Sequence, residues 1–90
     1  MFQGMGRGET QPVTRLSRGL IAAIRIRMAR QGLDQKGLAA RAGLSAQYVS
    51  KRMRAELVYT VHDVEQISRA LGVTPEALMM EAAREAQLID

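Results

Sequence analysis

Between Leu38 and Met53 the chain reads LAARAGLSAQYVSKRM. Helix-forming residues run to Ala42, Gly43 interrupts them, and after Leu44 and Ser45 a second helical stretch begins. Glycine can take φ > 0 without steric cost and so ends the first stretch; serine caps the start of the next. The connection AGLS is too short to lay two helices antiparallel with large side chains between them, so it forces a steep crossing. Ala39 is small where the two helices come closest, and Leu44 and Val49 plug the angle from the core side. Any fold open to this chain has to be built around that corner.

The remaining sequence supplies further helices. Thr14 or Ser17 caps a first helix running to about Gln31, with an apolar stripe at Leu20, Ile24 and Met28, Leu16 and Ile21 beside it, and Gly32 at its end. Arg18, Arg25 and Arg30 lie off the stripe. Asp34 caps the second helix, Gln35 to Ala42, with Leu38, Ala39 and Ala42 inward. Ser45 caps the third, Ala46 to about Arg54. After the loop AELVY, Thr60 caps the fourth, and Asp63 three positions on completes a capping box with Asp in place of Glu. Val61, Val64, Ile67 and Leu71 form its stripe, and Gly72 ends it. Thr74 followed by Pro75 opens a fifth helix toward Gln87, with Leu78, Met79, Ala82 and Ala86 inward. Met80, Leu88 and Ile89 are expected to finish the core, although this last helix could also pair with a partner. No strand pattern and no internal repeat is present. The expectation is an all-α bundle of five short helices in one domain, residues 14–90. The Gly-rich residues 1–13 read as a disordered arm. Phe2–Gly4 resembles the scar of a protease-cleaved tag, which would place the natural start at Met5.

Composition narrows the class. The three aromatics are Phe2, Tyr48 and Tyr59, so the core must be aliphatic. Cysteine is absent, which removes a disulfide framework and a thiolate metal site. No apolar run approaches the roughly 18 residues of a membrane span, and no signal-peptide core is present. A soluble, cytoplasmic protein is expected. The charge is lopsided: Met1 to Arg54 carries eleven Lys or Arg against two acids, net +9, whereas Ala55 to Asp90 carries two against seven, net −5. Such a field favours a polyanion on the basic side, and nucleic acid is the usual partner.

The third helix needs only Val49 and one residue near Met53 for its buried face. Its other face carries Gln47, Tyr48, Ser50, Lys51 and Arg54. An α-helix fits the major groove of B-DNA, where Gln pairs with adenine and Lys with guanine. Ser45 and Gln35 sit at helix N-termini, where backbone N–H groups can hold phosphate.

Taken together, GLDQKGLAARAGLSAQYVSKRM and VEQISRALGVTPEALM resemble the Cro/C1-type helix-turn-helix family, the λ-repressor-like or XRE family of phage and bacterial DNA-binding domains. The resemblance covers about residues 18–80. It rests on Gly32, Leu33, Gln35, Leu38, Ala39, Gly43, Ser45, Val49, Ser50, Ala70, Leu71, Gly72, Val73 and Leu78. It implies a helix-turn-helix at about residues 35–54 and recognition positions at Ala46, Gln47, Ser50 and Lys51, with Tyr48 adding apolar contact. Ala46, where many members have Gln, offers only a methyl contact. The resemblance further implies phosphate contacts from Gln35, Ser45 and Arg54, joined by Lys36 or Arg41. Three departures stand out. Arg52 replaces an apolar residue, so either Met53 takes over that contact or Arg52 lays its stem over the core. Ala55 replaces a helix-ending Gly, which predicts a longer third helix. Tyr59 replaces a common Pro.

The implied function is a sequence-specific double-stranded DNA-binding transcriptional regulator. It would be a stand-alone Cro-like or small repressor, or the DNA-binding part of a longer one, acting as a homodimer on an inverted repeat. Arg7, Arg15 and Arg18 can add arm contacts to DNA. Leu57, Val58 and Tyr59 form an apolar cluster that would serve either a dimer contact or packing on the chain's own core. His62 reads as a surface residue. No catalytic set, metal site, cofactor motif or small-molecule site is evident. The competing reading is an antitoxin or adaptor whose acidic half, with Glu76, Glu81, Glu85 and Asp90, docks a basic protein through the fourth and fifth helices. Salt separates the two, since contacts to several phosphates weaken steeply as salt rises.

Overall fold

The structure, a computed structural model, describes residues 13–89. The expected arm up to residue 12, with Arg7 and the tag scar, and Asp90 fall outside the described residues. Five helices follow in order: α1 Arg15–Gln31, α2 Gln35–Ala42, α3 Ala46–Met53, α4 Val61–Leu71 and α5 Pro75–Ala86. Each starts the same way. Thr14, Asp34, Ser45, Thr60 and Thr74 hold extended backbone and accept, through the side chain, the N–H of the third helical residue. Five short helices can thus begin where they do because each N-terminal turn has a partner for one of its orphan amides. Among the described residues no helix is long and apolar enough to cross a membrane.

The core is aliphatic. Leu20, Ile24 and Met28 of α1 meet Leu38, Ala39 and Ala42 of α2, Val49 and Met53 of α3, Ile67 and Leu71 of α4, and Leu78 and Ala82 of α5. Helices α1 and α5 approach closely. A Cβ on Gly19 would stand 2.2 Å from the Ala82 carbonyl oxygen and 2.8 Å from the Ala86 nitrogen. Arg27 of α1 donates to both carboxylate oxygens of Glu81 of α5 from Nε and Nη2, the Nε contact measuring 3.0 Å. The side chain of Gln31 closes the other end of the bundle by donating to the Leu71 carbonyl at 2.9 Å.

Several expectations need correction. Val61 is 78% exposed, Leu16 44%. The inward row of α4 is Asp63, Ile67 and Leu71, spaced i, i+4, i+8, with Val64 packed at the core edge, so an acid and not Val61 begins the buried face. Met80 and Leu88 point to solvent, because Leu78, Ala82 and Ala86 already face α1. The third helix is not lengthened either. It stops at Met53, and Ala55 adopts φ 62°. The Ala55 N–H bonds the Arg52 carbonyl at 3.1 Å and the Glu56 N–H bonds the Lys51 carbonyl at 3.0 Å, which is a Schellman ending. The chain makes that turn with alanine because the two hydrogen bonds, and a third from Arg25 Nη2 to the Met53 carbonyl at 3.1 Å, offset the strain of a Cβ in the left-handed region.

Two substitutions follow. Gly19→Ala should destabilise the fold by about 3 kcal/mol through overpacking at the α1–α5 crossing. Ala55→Gly should stabilise it by about 0.5–1 kcal/mol, since the positive φ is relieved while a more flexible unfolded chain takes back part of the gain. Thermal unfolding of the two variants beside the parent measures both.

Candidate nucleic-acid interface

The α2–α3 corner is built as the residues require. Gly43 sits at φ 71°, Val49 is buried, Ala39 is buried at the crossing, and Leu44 packs on the core edge. This aims α3 outward by one face. Ala46 and Gln47 are exposed, and Ser50 and Lys51 are half-buried. Ser45 caps α3 at its exposed start with its Oγ 3.0 Å from the Tyr48 nitrogen. Gln35 is half-buried in the first turn of α2, and Lys36 beside it is exposed.

What holds α3 at its angle is a buried polar network. Asp63 of α4 is fully buried, and its carboxylate accepts three hydrogen bonds. The Tyr48 hydroxyl donates to Oδ1 at 2.7 Å, Arg52 Nε donates to Oδ2 at 2.9 Å, and the Thr60 N–H donates to Oδ2 at 2.9 Å. The Arg52 guanidinium lies 3.5 Å from the centre of the Tyr48 ring. The side chain of Arg52 is 10% exposed, and Met53 is buried as well, so both alternatives for the apolar departure hold at once. Burial alone would raise the Asp63 pKa. The Thr60 N–H, the Tyr48 hydroxyl and the Arg52 charge outweigh it and hold the carboxyl below its usual value. The same hydrogen bond to Asp63, followed by burial, raises the Tyr48 phenol.

The remaining candidates sort unequally. Tyr48, expected on the base-facing side, turns its hydroxyl inward to Asp63; only its ring is left to face a ligand. Arg54 is exposed but engaged: its Nε is 2.8 Å from Glu56 Oε2 and its Nη1 is 2.6 Å from Ser50 Oγ. Glu56 raises the Arg54 pKa and is itself lowered by Arg54. The Ser50 hydroxyl accepts from Arg54 and keeps its own proton to donate. Arg41 donates to Gln31 Oε1 at 3.3 Å, at the end of α1. It lies five residues from Lys36, about 140° around α2, so the two do not share one face. Arg15 and Arg18 are exposed at the start of α1. Leu57 and Val58 are exposed, but Tyr59 is not free for a partner. It packs on the chain's own core, its hydroxyl 3.1 Å from Met53 Sδ, and it walls an apolar hollow of about 480 Å³ between α1, α4 and α5. That burial pushes the Tyr59 phenol well above its ordinary value. Asp63 is the functional residue that the sequence concealed. It was legible as a cap, and the Arg52 departure was the signal that a buried acid waited somewhere, but nothing in one dimension joined the two.

Comparisons with known proteins agree with this geometry. The sequence model of the helix-turn-helix domain family matches residues 20–82, and the chain belongs to that family. Two crystal structures of the clp gene regulator ClgR from Corynebacterium glutamicum are similar. One has TM-score 0.74 and 27% identity over 86% of this chain and 82% of that one. The other has TM-score 0.68 and 28% identity over 77% and 90%. The hypothetical transcription factor NHTF from Neisseria shares the fold, with TM-score 0.70 and 24% identity over 89% and 94%. No curated protein sequence matches the chain.

Asp63→Asn should lower stability by about 3 kcal/mol at neutral pH, because Arg52 is left buried without its counter-charge. The folded-state pKa is depressed, so the contribution is complete above the ordinary value of 3.8 and is lost as pH falls through the folded-state value. Urea titrations of parent and variant should therefore differ most at pH 7 and converge in acid; a gap that stayed constant with pH would exclude the ion pair as its source.

Proposed function

We propose that this DNA-binding transcriptional regulator reads a specific duplex sequence by laying α3 in the major groove. The observation that carries the reading is the division of α3 itself. Val49, Arg52 and Met53 are buried and fixed, while Ala46, Gln47, Ser50 and Lys51 are left on the side away from the bundle. Gln47 can bond adenine with both ends of its amide, Lys51 donates to guanine, and Ser50 donates to either, with the Ala46 methyl beside them. Tyr48 contributes its ring face. Gln35, Lys36 and Ser45 hold phosphates near two helix N-termini, whose first amides lack intrahelical partners. Arg54 joins them by exchanging Glu56 for a phosphate.

The Cro/C1 resemblance supports a homodimer on an inverted repeat with half-sites about 34 Å apart, acting on cytoplasmic DNA. Leu57 and Val58 remain the exposed candidates for the dimer contact. The ClgR likeness supports gene regulation as the outcome. The exposed Met80 on α5 and Leu88 just past its end, near Glu76 and Glu85 in sequence, favour a second reading in which that end of the chain docks a basic protein.

Selection of bound duplexes from a random library, with parent and Lys51→Ala in parallel, tests the first reading. The parent should yield a palindromic consensus. Lys51→Ala should blur it at the base read by that lysine, at about 1–3 kcal/mol. Arg54→Ala should instead weaken all sequences alike and reduce the salt slope by about one. No enrichment from the parent would sink the reading in favour of the protein partner.

A further inference from the structure

An open hollow of about 310 Å³ lies beside the outward face of α3, lined by Ser45, Gln47, Tyr48, Lys51, Arg52 and Leu57. Part of its wall is rigid, since Tyr48 and Arg52 are both tied to the buried Asp63. Gln47 and Lys51 are the proposed base readers. Leu57 is the one member from outside α3 and its cap. It belongs to the α3–α4 loop, is 37% exposed and takes no part in the core cluster. A single exposed leucine is ordinary; what marks this one is where the backbone holds it. The Schellman ending at Ala55 and Glu56 fixes the loop immediately before it.

We propose that Leu57 is a specificity-determining residue: it closes this hollow into a seat for the C5-methyl group of a pyrimidine, thymine first, in the major groove. The inference rests on the reading of α3 as a recognition helix. That methyl is the apolar feature the major groove offers, and it separates T·A from C·G. Ser45 and Lys51 offer donors at this hollow, but its Leu57 side suits a phosphate poorly. The Arg52 charge is already satisfied by Asp63, and Leu57 would strip water from an anion while offering no donor. A methyl group instead gains an apolar wall, with the Gln47 amide and the Lys51 ammonium placed to bond the polar edges next to it.

The probe is the consensus duplex that the parent selects, remade with deoxyuridine in place of each thymine in turn. At one thymine per half-site, next to a base that Lys51→Ala blurs, loss of the methyl should weaken parent binding about fourfold, the effect of one apolar carbon leaving contact. Leu57→Ala should bind the thymine and deoxyuridine duplexes alike at that position and keep the parent's preferences elsewhere. Comparing 5-methylcytosine with cytosine at the same position identifies the group being read. A gap there makes the site a methyl reader on either base, and its absence confines the site to thymine. The proposal is overturned if no thymine shows the effect, or if Leu57→Ala weakens both duplexes equally, which would mark a loop or dimer contact. Thermal unfolding of Leu57→Ala checks that the fold is retained. Failure of the parent to select any consensus would instead overturn the recognition-helix reading, and this proposal with it.

Discussion

The carboxylate of Asp63 organises the functional half of the molecule. It is buried without contact with water, yet it is fully bonded, to a backbone amide, a phenol and a guanidinium. A charge in that position is tolerable only while its partners stay in place. The helix it serves is two turns long and could not be stable alone. Asp63 therefore joins two tasks in one group: it caps α4 and it fixes the angle of α3. The geometry of the outward face follows from that bond set as much as from the Gly43 corner.

The bundle around it uses a division of labour. Small residues set distances, as where Gly19 lets α1 and α5 approach until no Cβ would fit. Long polar side chains of α1 then finish the ends of other helices: Arg25 at the close of α3 and Gln31 at the close of α4. Carbonyls at helix ends lack intrahelical donors, and these side chains supply them from a neighbouring element. The long first helix thereby acts as a scaffold against which the short ones are held.

The charge division of the sequence becomes local pairing in three dimensions. Some of the basic half is neutralised within the fold, Arg27 by Glu81, Arg52 by Asp63 and Arg54 by Glu56. Arg27 and Arg52 hold helices together, whereas the exposed Arg54 pair is weak enough to be exchanged. Lys51 and Lys36 make no such pair among the described residues, which leaves them available to an anionic partner.

The sequence by itself determined the helices. Every N-cap serine, threonine or aspartate, the helix-ending glycines, the Leu20–Ile24–Met28 stripe and the Gly43 corner act within a few residues of where they are written, so their effect can be read locally. The candidate readers Gln47, Ser50 and Lys51 were legible for the same reason, being what remains of α3 once Val49 is turned inward. Only the tertiary structure decided which partner each polar side chain found. Arg52 meets an acid eleven positions away, Tyr48 gives its hydroxyl to that acid, Tyr59 folds onto the core, and Val61 stays in solvent while Asp63 is buried. Those outcomes depend on how α4 lies against α3, a long-range arrangement whose energy comes from burying a charge with its partners, and no local spacing encodes it.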